Sequence, residues 1–149
     1  MKVMVTGNNG YIGLVLAEIL VKKGYDVLGF DTNYYGDCKL YDSNISVKYT
    51  DKDIRNLSRD DLKDIDAIIH LAALSNDPLG EFNKKLTYDI NYSSTIRMAE
   101  LAKKAEVKRF VYASSQSMYG VSKEDTELEE DNSPKNPITA YAKTKLDAE

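Results

Sequence analysis

Apolar and polar positions follow two rhythms along this chain, and the chain switches between them repeatedly. Short apolar runs, the mark of buried strands, are followed by stretches with apolar residues three or four apart, the mark of helices. KVMVTG, from Lys2, predicts a first strand ending in glycine. YIGLVLAEILVKKG then sets Ile12, Val15, Leu16, Ile19 and Leu20 at helical spacing, with Gly24 as the stop. DVLGFD predicts a second strand and ISVKYT a third. LSRDDLKD predicts a short helix with Ser58 as its N-cap. AIIHLAA predicts a fourth strand, with LSNDPLGEF after it as loop. One long helix is expected over 83–105, then a fifth strand in RFVYASS. Residues 116–139 predict an acidic loop holding Pro134 and Pro137, and a last helix begins near Thr139.

Strands alternating with helices, most strands apolar on both faces, imply a parallel sheet covered on both sides. Right-handed crossovers make it a doubly wound α/β sheet, the Rossmann arrangement, with ligands at the carboxyl ends of the strands. A chain of 149 residues suits one such domain. Its apolar runs are broken by charges well short of the ~20 residues of a membrane span. The N-terminus reads as a strand entering a turn, not a signal peptide. A net charge of -4 and a pI of about 5.1 argue against nucleic acid as a partner. The single cysteine, Cys38, excludes an internal disulfide framework and suits a reducing compartment, so a cytoplasmic protein is expected.

The glycines of VTGNNGYIG carry the first chemistry. Gly7 permits a tight turn, Gly10 lets a pyrophosphate approach the backbone, and Gly13 lets the helix pack closely on the strand. The helix N-terminus offers unpaired N–H groups and partial positive charge to phosphates. Asp31, at the end of the second strand, completes the dinucleotide pattern. Its carboxylate suits ribose hydroxyls and repels a 2′-phosphate, and Thr32, Asn33 and Tyr34 supply no cation for that phosphate. NAD is therefore expected rather than NADP. No metal site is assigned.

The second chemistry is Tyr141 and Lys145, four apart and so on one helical face. A phenol is a poor base near neutrality, and an adjacent ammonium favours its phenolate. Ser114, Ser115 and Ser117, after the fifth strand, offer hydroxyls for a substrate oxygen. Phenol, ammonium and hydroxyl beside a nicotinamide suit reversible alcohol oxidation. A Tyr-x-x-x-Lys spacing alone is common on surface helices.

In this order the segments resemble the extended short-chain dehydrogenase/reductase family, and within it the NAD-dependent epimerase/dehydratase branch acting on nucleotide sugars. TGNNGYIG matches the TGxxGxxG loop, which implies cofactor contacts from Gly7, Asn9, Gly10, Tyr11 and Ile12. Asp53 and Ile54 match the pair that family members place near the adenine. HLAA, with Leu71, Ala72 and Ala73, matches the fourth strand end, and Asn91 in YDINYSST the long helix. FVYASSQSMYG implies Ser115 as the catalytic hydroxyl, four residues before Tyr119, and PKNPITAYAKTK implies Tyr141 and Lys145 as its partners. Tyr141 and Lys145 would also contact the cofactor. Family dehydratases carry Asp-Glu just after the Ser/Thr, whereas this chain has Gln116 and Ser117, which disfavours a 4,6-dehydratase. Family members continue well beyond the Tyr-Lys helix with a smaller region that grips the nucleotide sugar. The expectation is thus a Rossmann domain over 1–149, incomplete at its C-terminal end, from a larger enzyme.

The resemblance implies a nucleotide-sugar 4-epimerase working through a transient keto sugar. A sugar reductase or dehydrogenase, or a 4,6-dehydratase relative, is the alternative, and a non-catalytic dinucleotide-binding module a second one. On the long helix, Leu86, Ile90 and Leu101 fall on one side and Tyr88, Tyr92, Ile96 and Ala99 on the other, by the ~100° step of a helix. The second face needs another partner, and the resemblance implies a homodimer through this helix and the Tyr-Lys helix. His70 reads as a packed residue, Cys38 as a loop residue, and the acidic run at 123–132 as a solvated loop.

Overall fold

The structure, a computed structural model, describes residues 1–38, 41, 45–75, 77–121 and 127–149. These fall into two compact units, Met1–Ala73 with Ile96–Ala113, and Leu74–Thr95 with Ser114–Glu149.

The first unit is built on a parallel sheet of five strands in the order β3-β2-β1-β4-β5. The strands are β1 (Lys2–Thr6), β2 (Asp26–Asp31), β3 (Tyr49–Asp51), β4 (Ala67–His70) and β5 (Arg109–Tyr112). In register, Val3 faces Val27 and Ala67, and Met4 faces Leu28 and Ile68. Side chains alternate across the sheet. Val3, Val5, Val27 and Ala67 therefore share one face, packed with Ala17 of α1 (Tyr11–Lys22) and flanked by Leu16, Leu20 and Ile69. Met4, Phe30 and Ile68 take the opposite face, each at 0% exposure. Burying such a side chain contributes roughly 1.5–3 kcal/mol, so the three inner strands β2, β1 and β4 anchor the unit. Gly24 ends the α1 segment in the left-handed region, at φ +82°, as its sequence position predicts.

The second unit is helical. It holds α2 (Asp77–Phe82), α3 (Lys84–Tyr88), a π turn (Asp89–Ser93), a 3-10 turn (Gln116–Tyr119) and α5 (Ala140–Ala148). The π turn leads into α4 (Ser94–Lys104), which carries the chain back to the first unit. Thr139 is the N-cap of α5, its hydroxyl accepting from the Ala142 N–H at 3.1 Å.

Several expected elements are corrected. ISVKYT is a strand only from Tyr49 onward, because pairing with β2 begins at Gly29 and Tyr49. LSRDDLKD forms just a 3-10 turn at Asp60–Leu62. Ser58 does not cap it, because its hydroxyl and N–H both donate to Asp61 Oδ2, at 2.7 and 2.8 Å. The expected loop LSNDPLGEF contains α2, with Pro78 in its first turn, where a missing N–H costs nothing. The long helix is not one α-helix: the π turn interrupts it, and neither expected face is the buried one. The buried positions are Thr87, Asn91, Ser94, Thr95, Met98 and Ala102, mostly polar. Of the acidic run, residues 123–126 lie outside the described residues, as do 39–40 in the loop around Cys38.

Candidate active site

In the first unit the expected cofactor residues gather at the carboxyl ends of β1, β2, β3 and β4. Gly7 has φ +72°, and a Cβ there would lie 2.9 Å from the Ala72 nitrogen. Both the backbone conformation and the space therefore demand glycine. Gly13 is needed for a different reason from the expected one: its Cβ would meet Gly7 O at 2.0 Å and Asn8 Cα at 2.7 Å. It packs on the turn itself rather than on the strand. Gly10 is the N-cap of α1, with no side-chain cap and no acidic residue in the first turn. Tyr11 and Ile12, at 76% and 65% exposure, begin that helix at the surface.

Asp31 ties this loop to β2. Its Oδ2 accepts from the Asn9 N–H at 2.9 Å and its Oδ1 from the Asn33 N–H at 2.8 Å. Each oxygen keeps a lone pair. Asn9 Nδ2 also donates to Asn33 Oδ1 at 2.8 Å, and Asn8 Nδ2 to Asn9 Oδ1 at 2.7 Å. The Lys52 N–H donates to Asp31 O at 3.0 Å, which brings the Asp53 turn alongside. Asp53 pairs with Arg55, Oδ2 to a terminal guanidinium nitrogen at 2.7 Å, and that hydrogen-bonded pairing holds its carboxyl below the ordinary value. Ile54 points its side chain into the core, at 7% exposure.

Two residues here had no signal in the sequence beyond their positions. Thr6 Oγ1 accepts from the Leu71 and Ala72 N–H groups, both at 3.2 Å, and lies 2.6 Å from His70 Nδ1. His70 is 1% exposed and stacks on Tyr112 at 5.9 Å between centroids, a packed residue as expected. Arg97 is the other. It donates from one guanidinium nitrogen to Leu57 O at 2.7 Å and from the other to Arg55 O, pinning the turn after Asp53.

In the second unit Tyr141 and Lys145 lie on α5 as their spacing predicts, with Lys145 Nζ 5.8 Å from the centroid of the Tyr141 ring. Lys145 is 3% exposed, and burial lowers its ammonium to about 8. Ser115 is the N-cap of the 3-10 turn. Its hydroxyl accepts from the Ser117 N–H at 3.2 Å and lies 2.8 Å from Ser117 Oγ. Gly120, at φ +73°, closes that turn against Asn136, whose carbonyl oxygen a Cβ would meet at 2.1 Å. Asn91, expected at the cofactor, is 1% exposed and satisfied inside its own unit. It accepts from the Leu74 N–H at 2.8 Å and donates to Leu74 O at 3.1 Å and to Thr144 Oγ1 at 3.3 Å. Thr144, which the sequence did not single out, donates to Tyr141 O at 2.7 Å.

A parallel sheet in this order, a glycine turn opening onto an uncapped helix, and an acidic residue closing β2 define a Rossmann-type fold. Comparison with known proteins makes that narrower: the chain belongs to the NAD dependent epimerase/dehydratase family, whose model matches residues 3–149. It is 37% identical over 148 residues to a UDP-glucose 4-epimerase of Lactobacillus helveticus, covering 98% of this chain and 44% of that protein. It is 32% identical over 160 residues to a UDP-glucuronate 4-epimerase of Thermodesulfobacterium geofontis, covering 98% of this chain and 48% of that one. Among solved structures it is similar to MoeE5 in complex with UDP-glucose and NAD, with 32% identity and a TM-score of 0.84, over 99% of this chain and 46% of that one. The chain thus spans about half the length of these relatives. Among the described residues, no helix is long and apolar enough to cross a membrane.

Proposed function

We propose that the protein supplies the cofactor-binding and proton-transfer residues of an NAD-dependent nucleotide-sugar epimerase acting at a hydroxyl-bearing sugar carbon such as C4. The observation that carries this reading is the α5 pair: a lysine 3% exposed, its nitrogen 5.8 Å from the centroid of the Tyr141 ring. Burying an ammonium costs stability, and such groups concentrate where chemistry uses them.

The glycine turn fits a dinucleotide. Gly7 and Gly13 leave no room for a Cβ, the first turn of α1 has no side-chain cap, and Asp31 retains lone pairs for ribose hydroxyls. Gly7, Asn9, Gly10, Tyr11 and Ile12 would hold the pyrophosphate side, Asp31 the ribose, Asp53 and Ile54 the adenine. Leu71, Ala72 and Ala73 would lie along the remaining length, with Tyr141 and Lys145 at the nicotinamide ribose, and Asn91 would act only through the Leu74 backbone that it holds. When bound, NAD supplies a hydride acceptor that returns what it takes, which suits an isomerisation without net redox change.

The chain's own groups would then handle the proton. Tyr141 would remove it from the sugar hydroxyl and later return it to the same oxygen. Lys145, lowered by burial to about 8, is mainly an ammonium at neutral pH and would place positive charge beside the Tyr141 ring. Ser115 holds the sugar oxygen by hydrogen bond. Gln116 and Ser117 carry no acid–base pair for losing water, which favours epimerisation over dehydration. A sugar reductase would use the same groups but consume cofactor stoichiometrically. A homodimer through the segment 83–105 and α5 remains part of this reading, tested by sedimentation.

Two measurements test the proposal. Titration with NAD and NADP gives clear preference for NAD, and Asp31→Ala weakens NAD more than NADP; equal affinities in the wild type sink the cofactor assignment. NMR of UDP-glucose and UDP-galactose exchange in the active enzyme gives turnover that Tyr141→Phe lowers by about 10²–10⁴-fold. A variant as fast as wild type removes Tyr141 from the proton path.

A further inference from the structure

The first turn of α5 is held from outside by the short helix α2. The Ala140 N–H donates to Glu81 Oε1 at 2.5 Å. Thr139 donates from its hydroxyl to Asp77 Oδ1 at 2.8 Å while the same oxygen caps Ala142. Gly80, buried between these two acids in sequence, lies against the next residue of α5: a Cβ on it would sit 3.7 Å from Tyr141 Cβ. Segment 77–81 thus engages Thr139, Ala140 and Tyr141 in succession. The segment is fixed in turn. Gly80 O accepts from Thr87 Oγ1 at 2.8 Å, and Glu81 Oε2 pairs with Lys84 Nζ at 2.9 Å. Together, the bonds from Lys84 and Ala140 hold the Glu81 carboxyl below its ordinary value.

Capping alone does not require this arrangement. Thr139 already supplies the N-cap, and the N–H of the first helical residue is ordinarily left to water. Here a side chain from another helix takes that N–H. A bond to an N–H directed along the helix axis, together with one to the capping hydroxyl, sets both the axial position and the rotation of the first turn. Tyr141 is the very next residue. We infer that Glu81 and Asp77 are positioning residues for Tyr141: they fix the rotation of α5 and hence the place of the phenol relative to the Lys145 nitrogen. This rests on the proposed role of Tyr141, but its test reads geometry rather than turnover, so the two fail separately.

The experiment is NMR on the isotope-labelled chain. In Glu81→Ala, the Ala140 amide proton moves upfield and the Overhauser contacts between the Tyr141 ring and the Lys145 side chain weaken by about half or more, the loss expected when a site slips beyond ~0.5 Å. The Lys145 titration, followed at its Cε, climbs from about 8 toward 10.5 as water reaches the loosened turn. Glu81→Gln keeps a carbonyl acceptor for Ala140 and restores both readouts, although the charge is gone. If the Ala140 amide moves while the Tyr141–Lys145 contacts and the Lys145 titration stay put, the proposal is overturned. Failure of Glu81→Gln to restore them overturns it as well. Should Glu81→Ala not fold, Asp77→Ala decides, since it leaves Thr139 able to cap Ala142. Weakened contacts there support the proposal, and unchanged contacts end it.

Discussion

At the scale of single residues, Lys145 is the most consequential side chain. Burial lowers it to about 8 from an ordinary 10.5, so between those values the unfolded chain holds a proton that the folded chain lacks. Stability therefore rises with pH across that window, and the gain is complete above 10.5 and absent below about 8. The gain is at most roughly 3 kcal/mol, the worth of the shift at ~1.36 kcal/mol per pH unit. Urea unfolding from pH 7.5 upward, wild type against Lys145→Met, should show the wild type gaining on the variant. Parallel curves would mean that the folded ammonium is as well solvated as the unfolded one. Spacing alone placed Lys145 beside Tyr141, because four residues on a helix make neighbours whatever surrounds them. Its 3% exposure was not legible, because tertiary packing sets it and the spacing along α5 does not.

Among the elements, the π turn at Asp89–Ser93 shows best where sequence periodicity stops short. A helix that takes one extra residue in a turn rotates everything beyond it by about 100°. Counting at a constant step from Leu86 therefore misplaces the faces after Ile90. The polar residues that do point inward have work there: Asn91 replaces a strand-like partner for Leu74, bonding both its N–H and its carbonyl. Asn91→Leu should cost about 1–3 kcal/mol, the range for leaving a buried backbone group unsatisfied, measured by denaturant unfolding. A cost under half a kcal/mol, the ordinary size of a surface change, would show that water replaces the side chain. Elements with local signals read correctly. Gly24 stops its helix because of its left-handed φ, and Thr139 caps α5 with its own hydroxyl. Ser58 failed as a cap for an equally local reason, since Asp61 three residues on offered its hydroxyl a charged acceptor.

For the molecule as a whole, the order β3-β2-β1-β4-β5 places β2, β1 and β4 inside the sheet. Val3, Met4, Val5 and Ile68 are at 1% exposure or less, whereas Leu79 and Phe82 of α2 are at 47% and 90%. Opening follows buried contact, so amide hydrogen exchange should be slowest at Val3–Val5 and Ile68 and much faster in α2. Protection in α2 equal to that of β1 would contradict this order. The sheet was legible because its strands are short apolar runs bounded by glycine or charge. Of β3 only the extent was not legible, because its length is set by its partner and not by its own hydrophobicity.

The bond between Thr6 and His70 also makes the chain its own indicator. There is one histidine in the sequence, and it sits at the end of β4, tied through Thr6 to the amides of Leu71 and Ala72 beside Gly7. A single imidazole gives a single set of ring-nitrogen resonances, free of overlap, and the Thr6 hydroxyl 2.6 Å from Nδ1 makes that set sensitive to its position. Anything that settles on the glycine turn and shifts those amides will move the Thr6 hydroxyl, and the histidine spectrum with it. Candidate ligands can therefore be screened on the 15N-enriched wild-type chain, without a coupled assay or a working catalytic cycle.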